Sequence, residues 1–431
     1  MPVAERLVVL LGAVVAVATV AFGYVYGFRG GHELGAPTPP FTLAWSPLAD
    51  PLAVPAVVVV VLCAFAAPRL RGPRLPAAGF VPVVLLLALA AGLAVGSMRM
   101  GTYGWWHVFD LGPRGSFAAA NEYLPGQPTL TWGVGFYLDR FAEMVPSQTV
   151  NIAGHPPGPL LLMRALSIDT AQGLAALCIA CAALCTPLTY AIARAVPTSE
   201  QTARTAALLV ALSPVVLLDG VTSFDAVYAA MGAAAAALLL SRRSALLAVG
   251  MVAFAVATLF SWALLGIGAA AAIVVLVRDG WRRALVVAAG CGVAVLALNA
   301  VLAVGWGYDP IGTLLATEGV YRNSLAKIRP YWFWVLGSPV AWAVMLGPLT
   351  VGYALRGAVR RNPVAVGIVA VVLIAAVAGF TKAETERIWL IFVPLACVAA
   401  AQVVPERRVP LVLGSLAAQA LVLQLLVNTV W

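Results

Sequence analysis

The chain has 431 residues, of which 62% are hydrophobic and only 10% charged, with a formal net charge of +9. A soluble domain carries roughly 25% charged residues, so this composition excludes an ordinary water-soluble globule. The positive balance does not suggest nucleic acid, because the basic residues form short clusters between apolar runs and never interleave with aromatics on a soluble stretch.

The apolar runs approach the ~20 residues needed to cross hydrocarbon. They are too long and unbroken for barrel strands, so an all-α, polytopic membrane protein is expected. Met1–Arg6 precedes an apolar stretch, Leu7–Phe28, longer than the ~7–15 residues of a signal-peptide core, which reads as a retained first span. Pro51–Ala67 and Pro76–Ser97 follow, then a polar stretch, Met98–Asp169. After it come Thr170–Ala195, Thr205–Leu218, Asp225–Leu240, Ala245–Phe260, Ser261–Val277 and Ala284–Val304. Tyr331–Ala354, Val364–Phe380, Ile388–Val404 and Val409–Val430 bring the expectation to about thirteen spans. All six cysteines fall inside these runs, without a disulfide or zinc spacing. Cys178, Cys181 and Cys185 share one helical face, as small residues packing helix on helix do.

Arginine placement predicts orientation. With the N-terminus inside, the even-numbered connections hold Arg69, Arg71 and Arg74; Arg204; Arg242 and Arg243; Arg278, Arg282 and Arg283; Arg356, Arg360 and Arg361; Arg407 and Arg408. These connections are short and basic, as the positive-inside rule requires. Of the 17 carboxylates only Glu5, Glu200, Asp279 and Glu406 fall on that side. The N-terminus is then cytoplasmic and Trp431 extracytoplasmic. Polarity concentrates outside, in Arg29–Asp50, Met98–Asp169, Gly305–Pro330 and the charge-dense Thr381–Arg387. Any site should face outward. No P-loop or dinucleotide fingerprint is present, which argues against a pump driven directly by ATP.

The Met98–Asp169 loop is the richest segment. Trp105, Trp106, Trp132, Phe136, Tyr137 and Phe141 suit helices lying at the membrane interface. Asp110, Glu122, Asp139, Arg140, Glu143 and His155 interleave with them. An aromatic belt with a solvated polar face explains any one of these acids; the loop's length points to function.

Asn121-Glu122-Tyr123, followed by His155-Pro156-Pro157-Gly158, resembles the first outer loop of GT-C glycosyltransferases, in particular the protein mannosyltransferase and aminoarabinose transferase superfamily. Members commonly carry an Asp-Glu pair there, then a His-Pro-Pro or Lys-Pro-Pro motif. This chain departs from the pattern with Asn121 in place of the first acid and Gly158 in place of a large apolar residue. Leu212-Ser213-Pro214, Asp219 and Ser223-Phe224-Asp225 are similar to the family's second outer turn. Arg329-Pro330-Tyr331-Trp332-Phe333-Trp334 with Gly347-Pro348, and Lys382, Glu384, Glu386 and Arg387 with Pro394, resemble its late outer segments. The resemblance covers the chain from about Pro76, so residues 76–431 form a GT-C-like domain and residues 1–75 two added helices.

The resemblance implies transfer of a sugar from a polyprenyl phosphate to an extracytoplasmic acceptor, with inversion. A phosphate leaving group needs charge stabilisation rather than a general acid. Arg322, Lys327, Arg329, Lys382 and Arg387 are candidates, with Glu386 beside them. The acceptor hydroxyl needs a base; Glu122 is the first choice, Asp110 the second, and Asp225 a third carboxylate that also suits a helix cap. His155 either caps the following helix or positions substrate. His32 and His107 stand alone, so a divalent metal, if one is used, would be held by acids. The rival readings are a transporter or flippase of lipid-linked saccharide, and a non-catalytic GT-C-like protein. The rarity of charge within the spans and the lack of an internal repeat favour the enzyme.

Overall fold

A computed structural model describes residues 2–73, 75–112, 116–379 and 381–429. Arg74, Phe380, Val430 and Trp431, which figure in the expectations above, lie outside the described residues. The chain is helical almost throughout; among the described residues the sheet consists of two three-residue strands. Among the described residues, seven helices are long and apolar enough to cross a membrane: Val3–Arg29, Val54–Arg71, Ala77–Ser97, Ala171–Ala195, Trp262–Asp279, Trp281–Trp306 and Glu406–Leu426. Asp225–Leu239, Ser244–Thr258 and Pro363–Ala378 are apolar but shorter.

The difference from thirteen straight spans has local causes. Tyr331–Ala354 is not one helix. Tyr331–Leu346 and Pro348–Val359 meet at a 112° bend, where Gly347 takes φ 108°, a conformation closed to residues with a side chain. Pro348 then opens the second helix, where its missing N–H costs nothing. Thr205–Leu218 breaks likewise into Glu200–Ala211 and Pro214–Leu218. The expected Ile388–Val404 span is split into a short helix Thr385–Ile388, a 3-10 turn Trp389–Phe392 and the helix Val393–Ala401. Val409–Leu426 ends in the strand Val427–Thr429, antiparallel to Leu43–Trp45.

The core is built from small residues. Glu200–Ala211 packs between Ala171–Ala195 and Val393–Ala401, and every residue from Ala203 to Ala211 is buried. All nine residues of Val393–Ala401 are buried too. Alanines let helix backbones approach closely, which is how membrane bundles gain packing energy without a hydrophobic drive between helices. Trp281–Trp306 has the opposite character. Val293, Leu296 and Val304 are exposed, as residues facing lipid are.

Polar ties divide the bundle into two ends. At one end Arg204 donates to the Gly72 and Leu75 carbonyls, both at 2.7 Å. There too Arg278 reaches the Leu240 carbonyl at 2.9 Å, Arg242 pairs with Asp279 at 2.9 Å, and Arg356 and Arg360 hold Glu5 at 2.9 and 2.7 Å. These are the short basic connections. At the other end the four acid-bearing segments meet. Arg329 donates to the Gly35 carbonyl at 3.2 Å, the Thr42 amide to Glu386 at 2.6 Å, and Arg99 to the Val427 carbonyl at 2.8 Å.

A cysteine placed at Asp139, in the long loop, should label with an impermeant thiol reagent in intact cells, and one placed at Arg242 only after permeabilisation. Labelling of both positions, or of neither, in intact cells would contradict a bundle with these two ends on opposite faces of a membrane.

Candidate active site

The acid-bearing end holds a buried cluster contributed by four distant segments. Glu122 follows the short helix Phe117–Asn121, which Ser116 caps by accepting from the Ala119 amide. Extended backbone at Glu122 turns its side chain out of that helix and into the protein. Asn151 donates to Glu122 Oε1 at 3.0 Å, and the Thr149 hydroxyl to the Glu122 carbonyl at 2.7 Å. Glu122 Oε2 has no hydrogen-bond partner among the described residues. Burial pushes the Glu122 carboxyl up to about 7, against the opposing influence of Arg387 and Asn151, while Asp225 adds to the rise. A group with that proton affinity is half ionised near neutral pH, the condition that suits a general base.

Arg387 is the centre of the cluster. Its Nη1 donates to Asp225 Oδ2 at 2.6 Å and to the Ser223 hydroxyl at 3.3 Å. Its Nη2 donates to Glu384 Oε2 at 3.1 Å. Glu384 Oε1 accepts from Arg329 at 2.6 Å. Arg329 also donates to the Lys382 carbonyl at 2.8 Å, and the Lys382 ammonium returns to the Arg329 carbonyl at 3.1 Å. Although burial alone would raise the Glu384 carboxyl, the two guanidiniums hold it below its ordinary value. Asp219 and Glu386 lack so close a cation, and burial raises both. Each keeps one carboxyl oxygen, Asp219 Oδ2 and Glu386 Oε2, without a hydrogen-bond partner among the described residues. The cluster is therefore a charge-balanced core, Asp225–Arg387–Glu384–Arg329, ringed by carboxyl groups that burial holds protonated to higher pH.

Behind Glu122 runs a second, neutral network. The Tyr123 hydroxyl is hydrogen-bonded to the Tyr228 hydroxyl and lies 3.2 Å from His155 Nδ1. His155 Nδ1 is also 2.7 Å from the Asn151 carbonyl. A carbonyl only accepts, so Nδ1 carries the proton and Nε2 the lone pair. Burial lowers the proton affinity of this ring, and its hydrogen bonds link Tyr123 to the Asn151 backbone.

Not every expected residue reaches the cluster. Glu122, Asp225, His155, Arg329, Lys382, Glu386 and Arg387 do. Asp110 instead accepts from the Gly112 amide at 2.9 Å and the Tyr103 hydroxyl at 3.1 Å, on a separate turn. Arg322 is exposed and pairs with Glu318 on its own helix, and Lys327 is exposed. The cap expected of Asp225 is also corrected. Asp225 is the first helical residue rather than the cap, and the Ser223 hydroxyl accepts from its amide at 3.1 Å while its carboxylate goes to Arg387. His155 caps nothing, since Gly158–Ala165 starts at Pro157 without a side-chain cap. Asn121, where the resembling family has an acid, merely donates to the Phe117 carbonyl at 2.9 Å.

Asn151, Tyr228, Ser223 and Glu384 join the site without having been singled out as site residues. Two had a usable signal. Tyr228 lies three residues after Asp225, and Asn151 four before His155, so each shares a helical face or turn with a residue already suspected. Among the described residues, no three His, Cys, Asp or Glu side chains group as ligands for a metal ion.

Two measurements check this electrostatic description. Asp225→Asn removes one of the carboxylates that neutralise a guanidinium only 7% exposed; breaking such a buried pair costs about 3–5 kcal/mol, so the variant should melt well below the parent in detergent, whereas Asp110→Asn should shift it little. The second concerns pH. Glu122 binds its proton more tightly folded than unfolded, so its contribution is fully present below about 4.5 and is lost as pH rises toward about 7. Glu122→Gln should therefore stabilise the protein at pH 8 relative to the parent and not at pH 4. An equal effect at both pH values would contradict the raised proton affinity.

No protein-family model matches the chain, and comparisons with curated proteins and with solved structures likewise return no match.

Proposed function

We propose that this protein transfers a sugar from a polyprenyl-phosphate donor to an acceptor hydroxyl at the acid-bearing, extracytoplasmic end of a GT-C-like membrane fold of about thirteen crossings. The observation that carries the reading is the juxtaposition of a buried carboxyl titrating near neutrality, Glu122, with a buried guanidinium, Arg387, close enough to influence it. Both elements lie at the end of an apolar helical bundle, where a membrane-borne phosphate ester presents its head group. Asp219 and Glu386, whose proton affinity burial raises, lie around them and suit the hydroxyl-rich surface of a sugar.

In the proposed reaction the acceptor oxygen attacks the anomeric carbon and its proton passes to the Glu122 carboxylate. The bond from that carbon to the phosphate oxygen breaks, and its electron pair stays on the phosphate. Arg387 and Arg329 stabilise the added charge, a contribution worth several kcal/mol in a site that excludes water. Attack opposite the departing phosphate inverts the sugar carbon. Asp225 holds Arg387 in place, and Asn151 orients Glu122. One feature favours the alternative reading, transport of lipid-linked saccharide: the sharply broken pair Tyr331–Leu346 and Pro348–Val359, because transporters build their sites at discontinuous helices.

The test is a transfer assay with the purified chain in liposomes, supplied with a radiolabelled polyprenyl-phosphate sugar. The parent should transfer label at a rate that rises with pH through about 7, the value to which Glu122 is pushed. Glu122→Gln should lose roughly 10²–10⁴-fold while remaining folded, and Asp139→Asn, on the exposed face of Val134–Met144, should keep full rate. Movement of labelled donor across the bilayer without any transfer would establish the transport reading instead.

A further inference from the structure

The proposed chemistry leaves Glu384 without a role, yet no carboxylate in the cluster is held more completely. Its two oxygens are divided between two buried guanidiniums: Oε1 accepts from Arg329 Nη2 at 2.6 Å and Oε2 from Arg387 Nη2 at 3.1 Å. Each arginine uses other nitrogens for its remaining partners. Arg387 Nη1 holds Asp225, and Arg329 Nη1 and Nε hold the Lys382 and Gly35 carbonyls. The two Nη2 groups thus converge on a single anion, while the arginines are positioned by contacts that do not involve it. The arginine side chains are 6% and 7% exposed and that of Glu384 is 15% exposed, so more of the Glu384 side chain than of either arginine side chain faces solvent. Ala383 and Glu384 both have left-handed backbone, with φ 62° and 57°. Residues with a side chain adopt that region only where surrounding contacts impose it, and the ion pairs of Glu384 are such contacts.

Resting on the donor reading above, we propose that Glu384 is a built-in stand-in for the ligand's phosphate: a phosphate ester takes its place between Arg329 and Arg387 and displaces the carboxylate toward solvent. Carboxylate and phosphate offer guanidinium groups the same pairing of adjacent anionic oxygens, so one can replace the other without rebuilding the site. Displacement also frees the Ala383–Glu384 backbone to leave its left-handed conformation. The competing carboxylate makes the site selective, since a weaker anion does not dislodge it. It also keeps two buried cations neutralised between turnovers.

The test measures binding rather than transfer, using the full chain in nanodiscs. The probes are a sugar-free polyprenyl phosphate and, in a parallel arm, inorganic phosphate. Glu384→Gln should bind the polyprenyl phosphate roughly tenfold more tightly than the parent, because a competing state has been removed. Glu384→Asp, which keeps the charge but is too short to span both guanidiniums, should fall between them. Adding Arg329→Gln to Glu384→Gln should abolish the gain. A gain shared by inorganic phosphate assigns recognition to the phosphate alone, and a gain confined to the lipid assigns it to the membrane-borne ester; both support the proposal. Should the Gln variant not fold, the Asp variant decides. Parental or weaker binding by every folded Glu384 variant overturns the proposal. Because no sugar is used, a protein that fails to transfer glycosyl groups still gives a clear answer here.

Discussion

A guanidinium surrounded by protein is tolerable only if its charge is met at hydrogen-bonding distance, and much of the acid-bearing end of this molecule is arranged around that requirement. Arg387 is met by Asp225 at the start of one helix and by Glu384 three residues before it. Glu384 in turn holds Arg329, which reaches back to Gly35 in the first polar segment. The neighbouring Glu386 takes the Thr42 amide from that same segment. A single buried charge thereby ties together four stretches of chain, three of which also share a small apolar cluster of Leu34, Phe333, Trp334 and Ala383. The raised proton affinity of Glu122 follows from the same arrangement: Arg387 is already engaged by two carboxylates, so it offsets only part of the burial of a third.

The helices beneath supply a rigid base for this cluster. The alanine-rich segments Glu200–Ala211 and Val393–Ala401 are buried along nearly their whole length. Asp225 sits at the start of a helix that packs closely on Ala171–Ala195, and Arg387 just before the turn leading into Val393–Ala401. Both partners of the central ion pair are thus placed by close-packed backbone rather than by mobile loops. Preorganisation of this kind is what lets fixed charges act on a reacting group without first reorganising.

The sequence carried the class of the molecule and the sorting of its polar segments, because apolar length and arginine asymmetry are properties of the chain alone. It carried much less about where helices break. Gly347-Pro348 was visible as a pair, but an apolar run continues through it, and only the packing of Gly347 against Leu416 shows the bend. The site was legible where a residue's position along the chain signals its setting. Asp225 and Arg387 each border an apolar run on the side where carboxylates collect, Glu122 lies in the long polar loop on that same side, and all three reach the cluster. Asp110 and Lys327 satisfy the same description and do not reach it, since nothing local separates a carboxylate folded inward from one engaged by its own turn. Glu384 was visible as part of the late charged motif but had no role there for a related reason: its importance lies in two arginines, one of them 55 residues away.

The antiparallel tie between Leu43–Trp45 and Val427–Thr429 joins stretches at opposite ends of the sequence. A chain made from its N-terminus holds Glu122 and Asp225 long before Arg387 exists, and the Arg29–Asp50 segment before the strand that fastens it. The bundle can settle span by span, but its acid-bearing end closes only after the last helix is in place. Until then, a carboxyl that keeps its proton to about pH 7, as Glu122 does when buried, is less costly to shelter without its cation than an ordinary glutamate. The late completion of this end also means that Arg329 is made before the Glu384 and Arg387 that it joins in the cluster.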